Sequence, residues 1–369
     1  MERAVARIDT AAVRANASRL RSQLDARAQL CAVVKADGYG HGAGVCARAA
    51  LEGGADRLAV ATALEAAALA TDFEGVPLLT LGALTAEEVD VALGAGAEVA
   101  LWREEFRDVL AARACALGRP ARVHVKYDSG MGRLGTANAD EVLALARACA
   151  ADPDLELAGV WTHLATADEL ESDFFETQLG HFERVAAVVK AEFPDVLVHA
   201  ANSAALLRDR RSHFGMARCG VALYGLDPFQ RDPAEHGLRP ALSLRSYVAA
   251  VKRFPAGASA GYGRKWVAPV DTWVGVIPLG YGDGVRRALT NNADVLVGGR
   301  RRSLVGTVSM DNITVDLGPD SEVETGAEAV LIGGQGEEAI LAEEWARRLE
   351  TINYEITCGI SARVPRRPE

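Results

Sequence analysis

The chain has 369 residues, 49% hydrophobic and 24% charged, which suits two domains whose cores need no disulfide frame or bound metal to fold. Forty Lys and Arg against fifty Asp and Glu leave a net charge of −10, a balance that repels polyphosphate and argues against nucleic acid as a partner. No window offers the ~18 consecutive apolar residues of a membrane span, and the charged opening Glu2-Arg3-Ala4-Val5-Ala6-Arg7 lacks a signal peptide's apolar stretch, so a cytoplasmic protein with no membrane partner is expected.

From the N-terminus, an amphipathic stretch over residues 10–24 precedes the first apolar run. Strands are then predicted over 31–36, 57–62, 77–82, 98–102, 121–127, 155–164, 197–202 and 216–225. Ala-, Leu- and Glu-rich stretches of helical composition lie between them, among them 104–117, 140–151 and 174–192. Eight strand–helix units over residues 10–228 predict an α/β fold, a (β/α)8 barrel of the TIM type, at close to the ~250 residues such barrels take. A doubly wound sheet is the alternative. It binds phosphate at a Gly-rich first turn, which Asp37-Gly38-Tyr39-Gly40-His41-Gly42 does not match.

Near residue 226 the pattern changes. Asp227-Pro228-Phe229, Asp232-Pro233 and Pro240 are turn chemistry. Short β-like runs follow over 241–252, 273–278, 293–297, 303–308, 313–317 and 329–332, interrupted by one helix over 341–349. Residues 1–9 and 229–369 are therefore expected to form a second, mainly β domain, with the run 4–8 adding a strand to it. Arg300-Arg301-Arg302 reads as a solvated hairpin face. Cys31, Cys46, Cys115, Cys149, Cys219 and Cys358 show no CxxC spacing and no adjoining His cluster, so reduced thiols and no metal site are expected.

Chemistry collects where the barrel strands end. Lys35 terminates the first strand, and burying an ammonium there is costly unless it is paired or loses its charge. Barrel strands open at their C-terminal ends into the active-site mouth, where a partly desolvated lysine suits Schiff-base chemistry. A rim lysine snorkelling to solvent is the plainer reading. Asp128-Ser129-Gly130-Met131-Gly132-Arg133-Leu134-Gly135 follows the fifth strand, Thr162-His163 closes the sixth, and Asn202-Ser203 leaves the seventh toward a helix N-terminus. Arg218-Cys219-Gly220 lies within the eighth. A helix N-terminus and a glycine-exposed backbone at the last two strands suit a phosphate. Singly, His163 reads as a core histidine and Arg218 as a salt-bridge partner; converging on one mouth, they read as a site.

Val34-Lys35-Ala36-Asp37-Gly38-Tyr39-Gly40-His41-Gly42 resembles the pyridoxal-phosphate signature of the alanine racemase family. The run from Asp128 to Gly135, Thr162-His163, Ala201-Asn202-Ser203, Tyr262-Gly263, Met310-Asp311, Thr351-Ile352-Asn353-Tyr354-Glu355 and Arg363-Val364-Pro365-Arg366 occur in that family's order, so the resemblance covers nearly the whole chain. It implies a pyridoxal 5'-phosphate-dependent isomerase that interconverts L-alanine and D-alanine, a peptidoglycan precursor, and works as a homodimer with shared active sites. By that resemblance Lys35 holds the cofactor and serves as one base, while Tyr262 is the second base, reaching in from the partner subunit. Two bases are needed because the α-proton leaves one face and returns to the opposite one, and each must change protonation state.

The same resemblance sets Arg218 against the pyridine nitrogen, with His163 as its hydrogen-bond partner. It gives the cofactor phosphate to Tyr39, Asn202, Ser203, the backbone at Gly220 and Val221, and Tyr354. The substrate carboxylate falls to Arg133, assisted by Met310 and Asp311. Lys126 matches a lysine that the family often carries carbamylated. Gly261 stands where many members have serine, which is expected to loosen the backbone before Tyr262. Ser309 stands where some relatives carry cysteine, and Ala362 where an aromatic is common, which widens the expected substrate entrance.

Rival readings remain. A barrel-type decarboxylase of basic amino acids needs an acidic, cysteine-bearing motif that Thr357-Cys358-Gly359 does not supply. A non-catalytic cofactor carrier resembles the barrel half only and leaves Tyr262, Met310-Asp311 and Tyr354 without a purpose. A racemase of another small amino acid such as serine is the third, since a small apolar pocket rejects one added hydroxyl only modestly.

Overall fold

Short strands that are apolar on both faces present no side to water, so a parallel sheet of them must be covered or closed on itself. In the computed structural model, which describes residues 2–369, strand β1 (Val5–Ile8) and helix α1 (Thr10–Arg21) come first. Eight parallel strands follow: β2 (Gln29–Val33), β3 (Arg57–Val60), β4 (Leu78–Thr80), β5 (Glu98–Leu101), β6 (Ala121–Lys126), β7 (Leu155–Trp161), β8 (Leu197–His199) and β9 (Met216–Cys219). Each pairs with the next, and β2 returns to β9 with Cys31 opposite Arg218, which closes the expected (β/α)8 barrel. Every residue of β3, β4, β5 and β9 is buried, so these strands read as continuous apolar runs with few polar exceptions. Two of the helices between the strands begin on capping boxes, Thr62 with Glu65 and Thr85 with Glu88.

All eight predicted barrel strands end early, the last by the most. The first stops at Val33, because the chain turns left-handed from Ala36. The last stops at Cys219, and Val221–Tyr224 winds into a 3-10 turn.

The β part holds two main sheets. Its strands are β10 (Leu242–Tyr247), β11 (Ala250–Phe254), β12 (Ser259–Ala260), β13 (Trp266–Val267), β14 (Thr272–Ile277) and β15 (Asp294–Val297). They continue with β16 (Arg300–Ser303), β17 (Ile313–Gly318), β18 (Glu328–Gln335), β19 (Glu338–Ile340) and β20 (Arg366–Pro368). The larger sheet runs β16-β15-β18-β10-β1-β20 with β19 on β18; the smaller runs β11-β14-β17, and β12 pairs β13. Strand β1 is thus part of the β unit, as expected.

The predicted run 241–252 is two strands, broken at Val248-Ala249 where the chain passes from the larger sheet to the smaller. The run 303–308 is a strand only at its first residue. Gly298 and Gly299, at φ +64° and +70°, instead turn Arg300–Ser303 back along β15 as a hairpin. Arg301 there is not merely solvated, since it pairs with Glu338 and Glu344. Helix Asn353–Cys358 escaped the sequence reading, being too short for a periodic signal.

The chain divides into two compact units: Val13–Gly38 with Ala43–Leu223, and residues up to Ala12 with Tyr39–Gly42 and Tyr224–Glu369. Among the described residues, no helix is long and apolar enough to cross a membrane.

Candidate active site

Lys35 stands just past β2, half-buried, at the start of a backbone turn that L-residues rarely adopt. Ala36, Asp37, Gly38 and Tyr39 all have positive φ, between +51° and +62°. Each non-glycine residue there costs about 1–2 kcal/mol, so the turn must be held from outside. Glu65 does this. Its Oε1 accepts the Ala36 N–H at 2.7 Å, while its Oε2 accepts the Ala61 N–H at 2.8 Å and the Thr62 N–H at 3.2 Å. Asp37 Oδ1 accepts the Ala43 N–H at 2.8 Å and seats the following helix.

The loop after β6 is organised by one carboxylate. Asp128 Oδ1 accepts the N–H groups of Gly130, Met131 and Gly132 at 2.6–3.1 Å, and Oδ2 accepts that of Arg133 at 2.9 Å. Burial works against the charged form, but these four amides hold the Asp128 carboxyl below its ordinary range. Gly130 is required here: its φ is +141°, and a Cβ would stand 2.7 Å from the Phe174 ring. The loop delivers Arg133 with its side chain exposed.

Lys126, at the end of β6, is buried, with Nζ 4.2 Å from the centroid of the Trp161 ring. Burial, reinforced by Arg218 and Arg133, draws its pKa down to about 7. Arg218 is also buried, 3% exposed, with its guanidinium carbon 4.7 Å from the same indole. Its Nη2 donates to the carbonyls of Thr162 (2.8 Å) and Ala200 (3.0 Å), and meets His163 Nδ1 at 3.4 Å. Its Nη1 meets His199 Nδ1 at 2.8 Å. Burial lowers its pKa only to about 10, so it stays charged at neutral pH. The same burial, with Arg218 beside it, pushes His163 well below the ordinary histidine value.

At the last two strand ends, Asn202 Oδ1 caps helix Ser203–Arg208 by accepting the Ala205 N–H at 2.9 Å. Ser203 Oγ accepts the N–H of Gly220 at 3.1 Å and of Ala222 at 3.4 Å, which ties the Gly220-Val221 backbone to that cap. Lys35, Lys126, His163, Asn202, Ser203, Arg218, Gly220 and Val221 thus all sit at the C-terminal side of the closed barrel strands, with Arg133 on the adjoining loop.

The other sequence-predicted residues belong to the β unit. Tyr39 and Tyr354 lie with ring centroids 5.9 Å apart, and Tyr39 and Tyr224 at 5.2 Å. Arg366 grips the Tyr39–Gly42 segment through the Gly40 carbonyl at 2.9 Å, and a Cβ on Gly40 would stand 2.2 Å from the Thr357 carbonyl oxygen. Tyr262 is 74% exposed and Met310 51% exposed, while Asp311 pairs with Arg363 at 2.8 Å. The backbone before Tyr262 is not loose. Gly261 (φ +71°, ψ −178°) occupies a conformation open essentially only to glycine, and the Thr307 hydroxyl donates to the Tyr262 carbonyl at 2.6 Å.

Three residues escaped the sequence reading: Glu98, His124 and His199, all buried in the barrel interior. The available signal was one polar residue inside an otherwise apolar barrel strand. A closed parallel barrel whose strand ends converge two lysines and a buried, permanently charged arginine on one mouth defines a (β/α)8-barrel enzyme.

Comparison with known proteins narrows that class. The alanine racemase N-terminal domain model matches residues 8–228, and the alanine racemase C-terminal domain model matches residues 241–368. The alanine racemase of Frankia casuarinae is 42% identical over 99% of this chain and 96% of its own length, and alanine racemase 1 of Bacillus subtilis is 41% identical over 98% and 92%. The crystal structure of alanine racemase from D-cycloserine-producing Streptomyces lavendulae superimposes with a TM-score of 0.93 at 38% identity, covering 100% of this chain and 97% of its own. That of Bacillus anthracis alanine racemase with bound L-Ala-P gives 0.91 at 35%, covering 100% and 95%. The chain belongs to the alanine racemase family.

Proposed function

We propose that this chain interconverts L-alanine and D-alanine with pyridoxal 5'-phosphate as cofactor, as a homodimer. The observation that carries the reading is the mouth itself: a lysine presented by a strained, externally braced turn, in the same barrel end as a buried arginine that can only donate hydrogen bonds. That donor set fits the cofactor. Lys35 would supply the amine for its covalent anchorage, and Asn202, Ser203 and the Gly220-Val221 backbone would supply its phosphate site, to which the family resemblance adds Tyr39 and Tyr354. Once bound, the cofactor acidifies the α-hydrogen of an attached amino acid. Arg218 can only donate hydrogen bonds, so placed against the cofactor's pyridine nitrogen it would favour the unprotonated, neutral nitrogen. Lys35 and Tyr262 then move the α-proton at opposite faces, and Arg133, with Met310 and Asp311, binds the carboxylate.

The exposure of Tyr262 and Met310 supports a dimer in which each chain's β unit serves its partner's barrel mouth. The purified protein should carry a cofactor absorbance band and drive L-alanine to zero optical rotation. A preparation that holds the cofactor and leaves L-alanine unchanged would mark a carrier and overturn the proposal.

Lys126 completes the carboxylate site in this reading. With its pKa near 7, about half of the amine is neutral at pH 7 and free to attack carbon dioxide, giving a carbamate and one released proton. The product exchanges a cation beside Arg218 and Arg133 for an anion, which relieves the like-charge cluster. Carbon-13 NMR of protein in labelled bicarbonate should show one carbamate resonance that grows from pH 6 to pH 8 as the amine loses its proton. Its persistence in a Lys126→Ala variant would assign the signal elsewhere and refute this role.

A further inference from the structure

A hydrogen-bonded chain crosses the barrel interior from β5 to β9. Glu98 Oε2 meets His124 Nε2 at 2.7 Å, His124 Nδ1 meets His199 Nε2 at 2.9 Å, and His199 Nδ1 meets Arg218 Nη1 at 2.8 Å. The chain has one direction. Arginine only donates, so His199 Nδ1 accepts and its proton sits on Nε2. His124 Nδ1 must then accept that proton's hydrogen bond, which leaves the His124 proton on Nε2, donated to Glu98. The glutamate closes the chain because an ionised carboxylate only accepts. That pattern requires both imidazoles to be neutral, and burial acts in the same direction, lowering His124 and pushing His199 well below its ordinary value with Arg218 beside it. Burial opposes ionisation of Glu98, yet His124 and Arg57 hold its carboxyl well below the ordinary range.

The surroundings are built for this arrangement. Arg57 Nη1 lies 2.5 Å from Glu98 Oε2, and Arg122 Nε 2.9 Å from Oε1. The Trp161 ring stacks on His199 at 5.6 Å and 11°. Gly159 opposes His124 where the β6–β7 register shifts, and a Cβ there would stand 2.2 Å from His124 Nδ1. Barrel interiors usually fill with branched apolar side chains, and a buried polar chain costs more than such filling unless every member is satisfied.

We infer that Glu98 and His124 are positioning residues for the racemase reaction: through His199 they fix the direction in which Arg218 presents its guanidinium to the barrel mouth. This rests on the functional reading above. Losing either link frees His199 to turn over to the other tautomer, whose Nδ1–H would point at the Arg218 donor. Arg218 would then shift. A displacement on the order of 1 Å at a reacting centre costs about a hundredfold, and a partial one about tenfold.

Two measurements test it. In holoenzyme carrying nitrogen-15 histidine, His124 and His199 should both show unprotonated Nδ1 and protonated Nε2, unchanged from pH 6 to pH 9. In Glu98→Leu, or in His124→Phe should the first not fold, kcat should fall about tenfold with KM for alanine within twofold, at full cofactor occupancy. His199, and His124 where it is kept, should also lose its single tautomer. A protonated Nδ1 on either histidine in the wild type, or an unchanged kcat in the folded variant, overturns the assignment. If the wild type does not racemise alanine, it is the functional reading that fails; the nitrogen-15 result needs no turnover and still decides the direction of the chain.

Discussion

Lys35→Ala is expected to abolish racemisation, by at least about a thousandfold, while leaving the barrel folded. General-base catalysis alone contributes about 10²–10⁴ in rate, and this substitution removes both a base and the cofactor's anchoring amine. The fold should survive because the main chain around Lys35 is held by other groups. The Val34 N–H donates to the Ala59 carbonyl at 2.8 Å, the Gly38 N–H to the Val34 carbonyl at 2.9 Å, and Glu65 still receives Ala36. Circular dichroism of the fold and of D-alanine formation would check both parts. Activity within tenfold of the wild type would show that Lys35 is not a base.

The second large effect is expected from Tyr262→Phe, which keeps the ring and removes only the hydroxyl. Racemisation should fall about 10²–10⁴-fold in both directions, since a catalyst cannot move the equilibrium between enantiomers. Exchange of the α-hydrogen with deuterated water should nevertheless survive for one enantiomer, the one whose hydrogen faces Lys35, and vanish for the other. Proton NMR of each enantiomer distinguishes this from a general loss; exchange of both or of neither would exclude a two-base site. Shared sites add a further consequence. When Lys35→Ala and Tyr262→Phe chains are dissociated and randomly reassociated, half the dimers are mixed and each mixed dimer has one intact site. About a quarter of the wild-type activity should return, as two-fold symmetry requires. No recovery would mean that both bases come from one chain.

The barrel was legible in the residues, as was the gathering of most candidate site residues at its strand ends. Strands such as Arg57–Val60 and Glu98–Leu101 read as short apolar runs because both faces are buried, and Lys35 stood out as a charge at the end of such a run, whereas Lys126 was marked only by the family resemblance. Other features were hidden by distance along the chain. The left-handed turn after Lys35 follows from no propensity of Ala36 or Tyr39; it is imposed by Glu65, 29 residues from Ala36. Gly261 looked like flexibility and is instead a conformation that only glycine permits, pinned by Thr307.

The interior chain was the least visible. Glu98 and His124 are 26 residues apart, His124 and His199 are 75 apart, and each alone resembles a stray polar residue in an apolar strand. Local periodicity and residue chemistry are properties of a few neighbouring positions, so element types and the cationic mouth could be read along the chain, while the reaction class came from the resemblance of its motifs to a known family. Which lone pair faces which proton is set only when β5, β6, β8 and β9 close into one barrel and water is excluded from between them. Burial then drew Lys126 to about pH 7 and kept His199 neutral, making Arg218 a fixed donor rather than another surface charge.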